Sequence, residues 1–217
     1  MRILICACVV ASMAMGQNLP PDVDKESYSR LPFIERSTLS GEALRVYDAV
    51  VGKDADGNAR PKPPTGPAAT SLYSIGVAGP MDALNKFIRQ VKVGTAMYQL
   101  CSIIAAREFD EPYEWNSHEG GARRAGVDEK TIEAVKFNRS LEGVPEKEAL
   151  VVQFGRALFR EHKVSPELYA QVVKTFGQEG MFELTATMAD YAMAAIMLRA
   201  VDQHVPNVTA ELPVILR

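Results

Sequence analysis

The sequence predicts an all-helical, single-domain fold. From residue 68 onward apolar residues recur at three- and four-residue intervals, and no segment sustains the alternation of a strand. Helix starts are punctuated by Ser, Thr, Asp or Pro, as at Ser165-Pro166-Glu167, and helix ends by glycine, as at Gly126 and Gly177. Of the 217 residues 47% are hydrophobic, enough for a real core.

Taken in order, Met1-Arg2 followed by a short apolar run and small residues at Ala14 and Gly16 predicts a signal peptide over 1–16. The mature protein is then expected to be secreted or periplasmic. Cys6 and Cys8 leave with that segment, so Cys101 is left as a lone thiol in an apolar helical run, read as a small buried hydrophobe. Residues 17–36, polar and proline-bearing, predict an extended N-terminal arm. Ser40 precedes a first helix, Glu42 to Val51. The Gly- and Pro-rich stretch from Gly52 to Pro67 is a loop. Its Asp54, Asp56 and Asn58 lack the glycine position and the closing glutamate of a calcium loop.

Pro80 is placed to open the next helix, and Thr95 to cap one that ends near Glu108. Further helices follow from Pro112 to Ala125, Asp128 to Phe137, Pro145 to Glu161 and Ser165 to Gly177. The last, Gly180 to Val201, is apolar nearly all round and is expected to be the central helix. Its Glu183, Asp190 and Arg199 argue against a membrane span, and the two acids require partners, either Arg199 or a neighbouring subunit. Asn138-Arg-Ser140 and Asn207-Val-Thr209 fit glycosylation acceptors. A net charge of −3 without a basic stripe gives no reason to expect nucleic acid.

The chemistry concentrates in Glu111-Pro-Tyr-Glu114-Trp115-Asn-Ser-His118. On a helix starting near Pro112, the three-then-four spacing puts Glu111, Glu114 and His118 on one face. Two carboxylates flanking an imidazole can move protons or form half of a metal site. Carboxylates in a first helical turn are also favoured by the helix dipole alone. His162 and His204 read as helix-end histidines, and no second pair completes a metal site, so neither metal nor cofactor is expected.

Several stretches resemble the carboxymuconolactone decarboxylase family: Leu31-Pro32, Gly66-Pro67, Gly79-Pro80, Gln99-Leu100 through Ala106-Arg107, Tyr113-Glu114-Trp115 with His118 and Gly126, and Phe182-Glu-Leu-Thr185 with Tyr191. The similarity runs from about 31 to 202 and implies an alkylhydroperoxidase-D-like helical domain over 37–202, a tail at 203–217, and a trimer or hexamer of one chain. The peroxidases of that family carry Cys-x-x-Cys-x-x-x-His on this helix. Here both cysteine positions are glutamates, Glu111 and Glu114, and the glutamate relay one helix earlier is Gln99. Glutamate supplies no thiolate, so thiol peroxidase chemistry is not expected. The resemblance then implies a decarboxylase or lactone-processing enzyme acting on a small organic acid. His118 would be its proton carrier, Glu114 and Glu111 the assisting carboxylates, Trp115 and Tyr191 the pocket walls, and Arg107 the cation for an anionic substrate. The competing readings are a non-catalytic binding or assembly protein on the same scaffold and a metal-dependent enzyme at Glu114 and His118.

Overall fold

The computed structural model describes residues 19–215; the predicted signal peptide lies outside them. Eight helices follow in order: α1 (Gly41–Val51), α2 (Pro67–Ser71), α3 (Ile75–Ile88), α4 (Thr95–Glu108), α5 (Pro112–Arg124), α6 (Glu129–Lys136), α7 (Glu146–Arg156) and α8 (Pro166–Ala200). Among the described residues there is no strand beyond an isolated bridge, Lys53 to Ala59, so the all-helical prediction holds.

The punctuation read from sequence works where a side chain can reach an orphan amide. Asp128 accepts from the Lys130 amide and Ser165 from that of Leu168, capping α6 and α8. Gly126 takes φ 89 beyond α5, and Gly177, at φ 73, interrupts α8 where the break was expected. Two starts differ. α3 begins at Ile75, so Pro80 sits inside it, tolerated on an exposed turn where water serves the carbonyl that proline cannot. At α4, Gly94 (φ 91) holds the cap position and Thr95 is the first helical residue.

The centre of the bundle is α4, not α8. Ten of the fourteen α4 residues are buried, and α4 packs against α5, α6, α7 and α8. The main core joins Leu100, Ile103 and Ile104 of α4 to Trp115 of α5, Ile132 of α6, Phe154 of α7, and Leu184 and Met188 of α8. α8 keeps Phe182 and Ile196 exposed on its outer side. It is nevertheless long and apolar enough to cross a bilayer by length and composition, with 56% of its most apolar window buried against the rest of the protein.

Gly155 of α7 marks the tightest crossing. A Cβ there would lie 2.6 Å from Ile104 Cγ2 and 3.2 Å from Met188 Cε. Gly155→Ala is therefore expected to destabilise the fold by about 1–3 kcal/mol through overpacking, read from the denaturant midpoint.

Residues 19–33, expected as an extended arm, instead make a series of turns folded onto the end of α8. The Arg30 amide donates to Val201 O (2.8 Å) and the His204 amide to Tyr28 O (2.7 Å). The buried Gln203 amide group donates to Ser27 O and Tyr28 O, which satisfies backbone that polarity alone had suggested was solvated. The tail runs back along the bundle. Asn116 Oδ1 of α5 accepts from the amides of Thr209 (2.6 Å) and Ala210 (2.8 Å).

Candidate functional site

A cavity of about 480 Å³ opens between α3, α5 and α8, closed over by the 64–68 segment. Its wall includes Glu114, Ser117 and His118 from α5, Asp190 and Tyr191 from α8, and Asn85, Lys86 and Arg89 from α3. That size suits a small organic molecule.

Glu114 and His118 are one helical turn apart, so both side chains project the same way. His118 Nε2 lies 3.6 Å from Glu114 Oε2. On its other side, His118 Nδ1 is 2.9 Å from Gln99 Oε1. An amide oxygen only accepts, so Nδ1 carries the hydrogen and Nε2 presents its lone pair to Glu114 and the cavity. The ring stands edge-on to Tyr191, with centroids 4.6 Å apart, and the Tyr191 hydroxyl is hydrogen-bonded to that of buried Tyr98.

Burial sets the protonation states. Glu114 is 3% exposed, and loss of water, followed by the charges of Glu111 and Asp190, pushes its carboxyl up to about 8. Burial, then the charge of Arg89, pushes His118 down to about 3. At neutral pH the site therefore holds a protonated carboxyl beside a neutral imidazole. Asp190 is also raised by burial, against the hydrogen bond from Asn85 and the charge of Arg89.

Gln99 is held where it is by a missing side chain opposite. A Cβ on Gly121 would lie within 2.8–2.9 Å of the Gln99 amide atoms. Gly121→Ala is expected to displace the Gln99 amide, a flexible group, and free His118 Nδ1 while the fold survives. The imidazole resonances in NMR spectra would show the loss of a slowly exchanging Nδ1 proton.

Three residues predicted for the site lie elsewhere. Glu111 is the N-cap of α5 with non-helical φ/ψ (−98, 102), and its carboxylate folds back to accept from the Tyr113 amide (3.0 Å). The three-residue spacing fails because a cap residue does not project like a helical one. Glu111 lines a second cavity, of about 560 Å³, with Arg199 and Asp202. Burial raises it to about 7, opposed by the Tyr113 amide and Arg199. Trp115 is a step of about 100° round the helix from Glu114 and is fully buried in the main core, with no hydrogen-bond partner for its Nε1. Arg107 is buried at the end of α4, where it donates to Lys136 O (3.1 Å) and Pro213 O (2.8 Å) and pairs with Asp110, tying down the tail. Tyr191 alone of the predicted wall residues lines the cavity.

The cation at the cavity is instead Arg89, with Lys86 one turn before it. Asn85 links the charged groups: its Oδ1 accepts from Arg89 Nε (2.8 Å) and its Nδ2 donates to Asp190 Oδ2 (3.0 Å). The partner that Asp190 required is therefore Asn85, and that of Glu183 is the Val93 amide (3.2 Å); Arg199 donates to Phe109 O. The i, i+4 spacing of Asn85 and Arg89 was the only sequence sign of this arrangement. Among the described residues no three His, Cys, Asp or Glu side chains are grouped as a metal ion requires, so Glu114 and His118 remain a two-donor pair.

In sequence, no protein-family model and no curated protein matches the chain. In structure it is similar to the debrominase Bmp8. A cysteine-to-alanine variant of that protein in complex with 2,3,4-tribromopyrrole has a TM-score of 0.55 at 17% identity, over 79% of this chain and 89% of that one. The apo form has the same TM-score and identity, over 76% and 84%. At that identity the likeness establishes a shared helical fold.

Proposed function

We propose that the protein is an enzyme of the carboxymuconolactone decarboxylase type, acting on a small organic acid or lactone by acid–base chemistry at Glu114 and His118. The observation that carries the reading is a buried carboxyl and an imidazole, 3.6 Å apart, both lining a cavity that also presents a cation. The competing reading, a scaffold without chemistry, would gain from a His118 packed under Trp115 with no cavity beside it; Trp115 lies in the main core and His118 borders the cavity, which supports the enzyme reading. The debrominase's ligand, 2,3,4-tribromopyrrole, is likewise a single small ring.

In this scheme Arg89 holds the substrate carboxylate or lactone oxygen. In a decarboxylation the carbon–carboxylate bond breaks, its electron pair passes into the adjacent carbonyl, and carbon dioxide leaves. The Glu114 carboxyl supplies the proton that quenches the carbanion and regains one from water. In a lactone isomerisation His118 Nε2 takes a proton from carbon next to the carbonyl, Glu114 stabilises the enolate oxygen by hydrogen bonding, and the imidazolium gives the proton back at the far carbon of the extended enolate as the double bond shifts. Gln99 keeps the imidazole in the required tautomer.

Thiol chemistry has no place in the scheme. Cys101 is fully buried in the core, and burial pushes its thiol well above the usual range. Cys101→Ser is expected to leave turnover unchanged. The reaction itself is tested with a panel of small carboxylated lactones and β-keto acids in D2O, following carbon dioxide release and deuterium uptake by NMR. Release or uptake that disappears in Glu114→Gln supports the proposal; none with any compound, or none lost in the variant, ends it.

The same reading makes the mature protein a secreted or periplasmic homo-oligomer. Phe182 and Ile196 of α8, both exposed, are apolar surface that assembly would cover. Light scattering on the mature chain is expected to give the mass of a trimer or hexamer.

A further inference from the structure

The charges around the cavity do not balance evenly. Lys86 Nζ is committed, 2.7 Å from Asp82 Oδ2 and 2.9 Å from Ala49 O. Arg89 differs: among the described residues its side chain makes one hydrogen bond, through Nε to Asn85 Oδ1, and no carboxylate stands within ion-pair distance of it. Both of its terminal nitrogens remain for a ligand, in the fork geometry that matches one carboxylate. Arg89 is itself exposed, at the end of α3, so it reaches the cavity from its mouth. Among the described residues Asp190, on the same wall, accepts a side-chain hydrogen bond only from the neutral Asn85 amide. Glu114 lines the same cavity.

We infer that the cavity selects a small ring bearing one carboxylate, clamped by Arg89, and rejects dianions because Asp190 offers a second carboxylate no counter-charge. With Arg89 taken by the first carboxylate, a second one on the ring would meet Asp190 and find no second free cation. Asn85 is the positioning residue of the clamp, since one amide orients both the attracting and the repelling group. The inference rests on the proposal that the substrate binds beside Glu114 and His118, and it narrows that proposal to monocarboxylates.

The test is binding, not turnover. Isothermal titration of the full chain at pH 6.5 compares benzoate, benzamide, isophthalate and 3-carbamoylbenzoate. The last two have the same shape and differ by one charge. Benzoate and 3-carbamoylbenzoate are expected to bind, with benzamide and isophthalate each at least about tenfold weaker. Arg89→Gln is expected to weaken benzoate by about 10- to 100-fold, the worth of a charge-assisted bidentate contact, with its melting curve unchanged because Arg89 is exposed. Arg89→Lys should keep part of the affinity. Isophthalate binding as well as 3-carbamoylbenzoate, benzoate failing to bind, or benzoate indifferent to Arg89→Gln would each overturn the inference. If Glu114→Gln keeps full turnover while benzoate binding still depends on Arg89, the acid–base proposal falls and the clamp stands.

Discussion

Glu114→Gln is expected to lower turnover by about 10²–10⁴-fold, the usual worth of a positioned general acid. Glutamine preserves the shape of the carboxyl and its neutral charge but cannot give up a proton. Because the Glu114 carboxyl titrates at about 8, wild-type turnover should be flat through neutral pH and fall as pH rises past that value. The variant's residual rate should lack that alkaline fall. A pH profile that is the same in both proteins would remove Glu114 from the chemistry.

The same substitution carries a stability signature of opposite sign. The Glu114 pKa is raised in the folded protein from its ordinary 4.5 to about 8. Its contribution is therefore fully present below pH 4.5 and is lost as pH climbs to about 8, because the unfolded chain ionises first. At roughly 1.4 kcal/mol per unit, several kcal/mol are forfeited by pH 8.5. Glu114→Gln removes the penalty, so the variant should be the more stable protein at that pH, and the difference should shrink towards pH 5. His118 bends the curve the other way. Its pKa is lowered, so its contribution is lost as pH falls from about 6.5 towards 3.

The second large effect is expected at Trp115. Its fully buried indole sits among Leu100, Ile132 and Leu184, so Trp115→Ala should cost about 3–5 kcal/mol, measured by denaturant unfolding. Trp115→Phe should retain most of that stability and also removes an indole N–H that has no partner. If Trp115 instead walled the substrate site, the Phe variant would change KM. An unchanged KM with a modest stability loss is the outcome that fits its place in the core.

These two residues show what was legible in the sequence. Helix boundaries and the Glu114–His118 pair follow from local rules, namely capping chemistry and the i, i+4 projection, and both are present in the structure. Glu111 was misplaced because its role as a cap takes it off the helical projection. Trp115 and Arg107 were assigned to the pocket by nearness in sequence. The direction each faces depends on which helix packs beside it, and α4, α6 and the tail decided that. Arg89 lies well before the His118 motif, and only the packing of α3 against α8 carries it to the same cavity. The centre of the bundle was misjudged for a similar reason. Overall hydrophobicity favoured α8, whereas being enclosed on all sides is a property of the arrangement and belongs to α4.

The lock between Gln99 and His118 has a stereochemical consequence. With Nδ1 held by an amide that cannot relay protons, every hydrogen the imidazole takes from a bound ring must enter and leave by its other nitrogen. The carboxyl that could return it stands on the same side, so removal and return share one face of the ring. A chiral substrate deuterated at that carbon should therefore keep its handedness and recover part of its own label before the solvent can wash it out.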